Sequence, residues 1–221
     1  EDQAVAAARR IGYPVVVKPR ALGASMGVML ARDDQELHEA FQVASNASLV
    51  GDEPFRGSAI VEEYAVGPEI SVDAGLHKGE YLPMFVARKR TGSHPYFEET
   101  GHVVDASDPL LEDRELMDTL ARAHQVLGIE NGVTHSEVRL TDRGPLIIEI
   151  NGRVGGDLIP LLGKIATGID PGEVVVDVAL GQRPDTHRPE RGVAGIRFGY
   201  PEHDCLVRSV RVPREAPGRK S

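Results

Sequence analysis

The sequence predicts an α+β fold with antiparallel sheets. Two observations carry that assignment. Strand-like runs follow one another across short turns, and amphipathic helical stretches lie between those groups rather than after every strand. The clearest such unit is Thr134 to Arg153, where apolar and polar residues alternate on both arms of a turn at Asp142-Arg143-Gly144.

Taken in order, Asp2 to Ile11 has helical spacing and is stopped by Gly12 and Pro14. Val15 to Lys18 is a short β-branched strand, and Val28 to Ala31 is a second one. Between them lies a loop from Pro19 to Met26 that contains Gly23, Ala24 and Ser25, with Gly27 just beyond. Asp33 followed by Glu36 is a helix-start pattern, and the helix runs to about Ala47. Asn46 to Ser58 is a polar connection, and Ala59 to Tyr64 is a strand. Residues 1–64 thus form a small α+β unit, with a boundary at Gly67-Pro68.

A larger unit follows over residues 65–190. Glu69 to Ala74 and Tyr81 to Arg88 are strands around a turn at Lys78-Gly79. Lys89 to Ser107, with Gly92, Pro95 and Gly101, has the composition of a loop. Leu110 to Leu127 is helical and ends on Gly128. After the hairpin come an imperfect helix from Asp157 to Ala166 and a second from Asp170, with Pro171 in its first turn, to Leu180. Residues 191–221 offer strands around Ile196 and Val210 and a polar, frayed end from Pro213 to Ser221.

Composition narrows the function. A chain of 221 residues with 41% hydrophobic and 27% charged residues has enough material for a real core. A net charge of -9 disfavours non-specific binding to nucleic acid or to an anionic membrane. Cys205 is the single cysteine, so no intrachain disulfide forms, which fits a reducing cytoplasm. No apolar run approaches the roughly 20 residues of a bilayer span. The chain opens on Glu1 rather than Met, as expected of a portion of a longer protein.

Register decides what the 134–153 hairpin is for. A three-residue loop with Gly144 left-handed sets Thr141 opposite Pro145, Leu140 opposite Leu146, Val138 opposite Ile148 and Glu137 opposite Glu149. The apolar side chains then share one face and the two carboxylates the other. A two-residue loop slips the register by one and mixes the faces, so the hydrophobic pattern favours the longer loop. Facing residues have Cβ atoms about 4.5–5.5 Å apart. At an effective dielectric near 20, two bare charges about 5 Å apart repel by roughly 3 kcal/mol, a cost that a cation between them removes. Asn151, on the same face, adds a neutral oxygen. Two carboxylates and an amide oxygen make a hard-oxygen set suited to Mg²⁺ or Mn²⁺ rather than zinc. A solvated face with ordinary surface acids is the alternative.

Other motifs are open to two readings each. Lys18 at a strand end, before a small-residue loop, suits a phosphate, or the segment is a plain hairpin. It is not a P-loop, because no G-K-[ST] opens a helix there. Glu62-Glu63-Tyr64-Ala65 and Glu69 suit an adenine edge and ribose hydroxyls, or form a solvated acidic turn. The run Arg88-Lys89-Arg90 meets an anionic substrate or is simply solvated. Glu99 and His102 are a three-apart pair that is structural or catalytic, and Arg153 clamps a phosphate or makes a surface ion pair.

Together these motifs resemble the ATP-grasp superfamily of carboxylate–amine ligases. The matching stretches are Gly12 to Pro19, Gly23 to Val28, Val61 to Tyr64 with Gly67-Pro68-Glu69, and Glu149 to Asp157. Each is weak alone, but their order and spacing are specific, from about Ile11 to Asp157. The resemblance implies two α+β subdomains that clasp ATP between antiparallel sheets. It implies that Lys18 contacts the α/β phosphates and that the loop of Ser25 and Gly27 closes over the γ-phosphate. Glu62 would take the adenine amine, Glu63 and Ala65 would give backbone contacts, and Glu69 would bind the ribose. Glu137, Glu149 and Asn151 would hold two Mg²⁺ ions.

Within the superfamily the sequence is most similar to bacterial L-amino-acid ligases that make dipeptides, followed by biotin-carboxylase-like ligases. Pro95 to His102 carries that likeness, and Ala194 to Phe198 resembles the start of their C-terminal subdomain. By it Glu99 joins the metal site, His102 contacts substrate and Arg153 holds the transferred phosphate. The partners implied are small carboxylate and amine substrates, with a homodimer as a further possible partner and neither nucleic acid nor membrane. The family's N-terminal domain is absent from this sequence and its C-terminal subdomain breaks off early. A nucleotide-binding module without ligase activity, a biotin-carboxylase-type enzyme and a metal-binding interaction domain are the alternatives. The segment from Lys89 to His102, with Tyr96 and Phe97 as a pocket wall, favours an amino acid or another small carboxylate over bicarbonate.

Overall fold

Two antiparallel sheets organise the chain, and each takes its helices from the sequence around it. The structure is a computed structural model that describes residues 1–20, 22–47, 57–92, 94–189, 192–201, 203 and 205–210. The first unit holds α1 (Asp2–Ile11), β1 (Val15–Pro19), β2 (Met29–Ala31), α2 (Asp34–Ala47) and β3 (Ala59–Glu63), with strand order β2-β1-β3. In β1 the alternation is direct: Val15 and Val17 are buried, while Val16 and Lys18 lie on the other face. Val15, Val17, Met29 and Ala31 pack against Ala8, Leu37, Ala40 and Ala44 of the two helices. Asp33 starts α2 as its sequence position requires, accepting from the N–H groups of Gln35 and Glu36 at 2.9 Å each.

The second unit is a six-stranded sheet of order β8-β7-β4-β5-β6-β9. Its strands are β4 (Glu69–His77), β5 (Glu80–Thr91), β6 (Glu99–Asp105), β7 (Gly132–Thr141), β8 (Gly144–Asn151) and β9 (Val193–Arg197), with α3 (Arg114–Val126), α4 (Ile159–Thr167) and α5 (Pro171–Ala179). Alternation gives the sheet two different faces. Ile70, Val72, Val86 and Val138 pack against Leu116 and Leu120 of α3. Phe85, Ala87 and Val104 pack against Ile159, Leu162 and Ala166 of α4. Helix α4 sits close because residue 163 is glycine: a Cβ there would lie 2.1 Å from Cε1 of Phe85. Gly75 likewise admits Val174 of α5, whose Cγ1 would be 2.9 Å from an added Cβ.

Several expectations need correction. Lys89 to Ser107 is not one loop, because β5 continues to Thr91 and β6 begins at Glu99. Strand β6 owes its form to neighbours on both sides, pairing with β5 and with β9. The helix expected from Leu110 is broken into a 3₁₀ turn, Pro109–Glu112, and α3, because Asp113 caps α3 by accepting from the N–H of Leu116. Helix α4 begins at Ile159, after Asp157 and Leu158 take left-handed backbone. The expected strand around Val210 is absent among the described residues 205–210. The end from Pro213 to Ser221, Ala21 in the first loop, and residues 48–56 of the polar connection lie outside the described residues.

The hairpin turn also differs. Thr141 pairs with Gly144, so the loop is the two residues Asp142 and Arg143, and Leu140 faces Pro145 while Val138 faces Ile147. A β-bulge between Glu137 and Val138 leaves Ile148 without a partner and returns Glu137 to Glu149. The two carboxylates face each other as expected, by a different route.

Candidate functional site

The face of the large sheet that carries α4 also carries a polar floor beyond the helix. Strand alternation places Glu69, Ser71 and Asp73 of β4 on it, with His135, Glu137 and Arg139 of β7 as their pairing partners. Strand β8 adds Glu149 opposite Glu137 and Asn151 opposite His135. Lys89 of β5 faces His102 of β6. Five strands thus bring residues from 69 to 151 onto one surface.

Lys89 is the hub of this floor. Its side chain is 1% exposed, and its Nζ lies 2.6 Å from Glu99, 2.6 Å from Glu137 and 3.4 Å from Glu69. Burial pulls the ammonium pKa down, but the three carboxylates outweigh it and raise it. Burial likewise raises the Glu137 carboxyl, yet His135 and Lys89 hold it down at about 2. Glu99 is held at about 2 in the same way, against burial, by His102 and Lys89. Within the run Arg88-Lys89-Arg90, nothing in the residue types marks Lys89 out as the buried member. Arg88 and Lys89 in fact point to opposite faces, Arg88 bonding Asp108 at 2.6 and 2.9 Å. The signal was there in the period of two.

A second buried group lies beside it. Asp73 accepts from His135 Nδ1 at 2.5 Å and from the N–H of Gly155 at 2.9 Å. His135 Nε2 is 3.5 Å from Glu137 Oε1. Burial lowers the imidazole pKa, but Asp73 and Glu137 outweigh it and lift it to about 9. The hard-oxygen set therefore has an imidazole next to it. A lone acid in the otherwise small and apolar run from Ile70 to Gly75 was the clue to Asp73.

The other expected residues fall as follows. Glu149 is exposed, and Asn151 keeps a buried Nδ2 with no hydrogen-bond partner. Arg153 is exposed and donates to the carbonyl of Val154 at 2.8 Å. His102 is buried, its Nε2 3.2 Å from Glu99 and 3.9 Å from Asp157, and neither ring nitrogen has the alignment of a hydrogen bond. Glu99, His102 and Asp157 bring one ligand atom each within 4.8 Å of one another. Burial, then the Glu99 carboxylate, raises the Asp157 pKa.

The small unit and the segment that follows it carry the remaining expected residues. Lys18 pairs with Glu62 at 2.8 Å, Glu63 with Arg143, and Glu69 with Arg139 at 2.7 Å. Ala65 is buried. Ser25 and Gly27 have positive φ, and Gly27 lets the loop lie against α2, since a Cβ there would be 2.7 Å from that of Ala47. The segment after β5 crosses to the small unit: Leu30 donates to the carbonyl of Pro95 at 2.9 Å, and Met29 bridges Tyr96. Tyr96 is exposed and Phe97 buried, with Phe97 and Tyr64 each stacking 5.9 Å from the Arg139 guanidinium.

A three-stranded antiparallel sheet with two helices, and a six-stranded antiparallel sheet that carries an acidic floor, define an α+β protein of two units. The ATP-grasp domain family matches residues 11–160, and the chain belongs to that family. It is 27% identical over 191 residues to alanine–anticapsin ligase of Bacillus subtilis, covering 78% of this chain and 40% of that enzyme. Among solved structures it superposes on the L-amino acid ligase of Bacillus licheniformis with a TM-score of 0.64, at 23% identity over 88% of this chain and 51% of that one. It also superposes on the biotin carboxylase domain of the Hydrogenobacter thermophilus 2-oxoglutarate carboxylase, with a TM-score of 0.68 at 21% identity over 88% of this chain and 43% of that one. That domain is a dimer in complex with MgADP and bicarbonate. The chain spans about two fifths of the length of the first curated relatives it matches. Among the described residues, no helix is long and apolar enough to cross a membrane.

Proposed function

We propose that this chain is the nucleotide- and cation-holding part of an ATP-dependent carboxylate–amine ligase that activates an amino acid or another small carboxylate. The observation that carries this reading is the opposition of Glu137 and Glu149 with Asn151 on the same face. Two carboxylates and an amide oxygen are a donor set that fits a hard divalent cation. Glu137, Glu149 and Asn151 would hold Mg²⁺ or Mn²⁺, with Glu99 beside them. When bound, the metal supplies neutralisation of the charge on the phosphate oxygens.

The chain's own residues divide the remaining work. Lys18 meets the α/β phosphates on leaving Glu62, which turns to the adenine amine, while Glu63 and Ala65 present backbone to the adenine edge. Glu69 takes the ribose with the acceptor sites left by Arg139 and Lys89, since a carboxylate has about four. The loop of Ser25 and Gly27 covers the γ-phosphate. A substrate carboxylate oxygen bonds to the γ-phosphorus as the bond to ADP breaks, giving an acyl phosphate. The substrate amine then attacks the acyl carbon, phosphate leaves, and the amine gives up a proton. Arg153, which is exposed, would hold the transferred phosphate bidentately. His102, whose side chain is fully buried, would act on the substrate through Glu99, 3.2 Å from its Nε2.

Phosphate and ADP release tests this with ATP, Mg²⁺ and single amino acids, small organic acids or bicarbonate. Turnover with one of the organic substrates and not with bicarbonate is expected. Turnover with bicarbonate alone moves the protein to the carboxylase branch, and ATP binding without ADP release under every condition moves it to a passive module. Absence of nucleotide binding refutes the reading.

A further inference from the structure

Asp73 is a carboxylate with 1% of its surface exposed, on a strand that is otherwise buried and largely apolar. An unpaired charge there would cost several kcal/mol. Both of its oxygens are used, and in different directions. Oδ1 takes Nδ1–H of His135, and Oδ2 takes the N–H of Gly155. The first bond fixes the ring so that Nε2 points at Glu137 Oε1, 3.5 Å away. The second holds the turn after Arg153 down on the sheet. Residue 155 must be glycine for this, since a Cβ would lie 2.9 Å from His135 Nδ1 and 3.2 Å from Cβ of Ile159.

Resting on the reading that Glu137 holds a divalent cation, we infer that His135 and Asp73 are positioning residues: they orient the Glu137 carboxylate and tie the Arg153 turn to the same anchor. A buried ion pair needed only for folding has no reason to spend its second ring nitrogen on a site carboxylate. Here Asp73, His135 and Glu137 form one line of contacts from the sheet interior to the site. Glu137 has a long side chain, and without His135 its remaining charged contact is Lys89, which is shared with Glu69 and Glu99. Partners that orient metal ligands in this way set affinity as well as geometry.

The test is Mn²⁺ binding in the presence of ADP, followed by electron paramagnetic resonance of the free ion, on the unsubstituted protein, Glu137→Gln, His135→Ala and His135→Gln. ADP binding without metal is measured in parallel. Glu137→Gln and His135→Ala are each expected to weaken Mn²⁺ binding by about 10–100-fold, with metal-free ADP affinity within about twofold. His135→Gln keeps one donor and is expected to fall between the alanine variant and the unsubstituted protein. Unchanged Mn²⁺ affinity in a folded His135→Ala protein, with a clear loss in Glu137→Gln, overturns the positioning role and leaves the cation reading standing. Unchanged affinity in Glu137→Gln overturns both. If the alanine variant does not fold, His135→Gln decides: a loss of about threefold or more supports the inference, and unsubstituted affinity overturns it.

Discussion

Replacing Lys89 with methionine removes one charge from a buried group of four and keeps the length of the side chain. At an effective dielectric near 20, each 2.6 Å contact to Glu99 and Glu137 is about 6 kcal/mol of gross attraction, and the 3.4 Å contact to Glu69 is about 5 kcal/mol. Most of this is offset by taking four charges out of water, at several kcal/mol per ion. Removing one partner of such a group leaves uncompensated charge and costs about 3–5 kcal/mol. For a domain of this size that lowers Tm by about 6–20 °C. The measurement is thermal unfolding of Lys89→Met in chelator at neutral pH, repeated at about pH 4 and with Mg²⁺. The penalty is expected to shrink at the lower pH, because the freed carboxylates protonate and stop repelling. Mg²⁺ is expected to return more stability to the variant than to the unsubstituted protein, since it stands in for the lost charge. A penalty equal at both pH values, or a Tm drop under about 2 °C, would falsify the electrostatic account.

Three further outcomes follow from the same geometry. Glu99 and Glu137 are depressed to about 2, so the stability they contribute is full above the ordinary carboxylate range near 4.5 and is lost as pH falls toward 2. Urea midpoints of the metal-free protein across that window are expected to fall, and a flat profile contradicts the assigned pairing. Gly163→Val drives a side chain into Phe85 and is expected to destabilise by about 1–3 kcal/mol or more; an unchanged unfolding midpoint would mean that α4 does not sit on the ring. Glu149→Gln keeps shape and removes one facing charge, so folding should survive while metal-dependent ADP release falls sharply; full turnover at limiting Mg²⁺ would remove Glu149 from the site.

Much of the small unit was legible because its determinants are local. Asp33 caps, Gly12 stops, and the valines of β1 alternate within a few residues of one another. The floor was only half legible, for the opposite reason. Strand β6 carries Gly101 at its centre, which lowers its strand propensity, and that glycine is what lets β9 approach: a Cβ there would lie 2.6 Å from the carbonyl oxygen of Ile196. A segment made into a strand by neighbours nearly 100 residues away, at 193–197, leaves little trace in its own pattern. Lys89 and His135 are likewise defined by partners far off in sequence, Glu137 for the first and Asp73 for the second.

The hairpin shows how two local demands can conflict and still give the required pair. The hydrophobic pattern asks that Glu137 and Glu149 share a face, while the Asp142-Arg143 turn sets a register that, continued regularly, would put Ile148 opposite Glu137 and turn Glu149 toward α3. The bulge absorbs the extra residue. A sharp consequence is that deleting Ile148 should be tolerated by the site. The ladder from Thr141–Gly144 to Val138–Ile147 would then run straight into Glu137–Glu149, with both carboxylates still on the floor. The loss is one half-buried isoleucine, less than the roughly 1.5–3 kcal/mol of a fully buried one. Single deletions within a regular strand flip every residue beyond them, so retained Mn²⁺ affinity in this variant would be hard to explain any other way. An affinity loss as large as that of Glu149→Gln, in a folded deletion variant, would mean that the bulge's own bend, rather than the opposition of the two acids, makes the cation site.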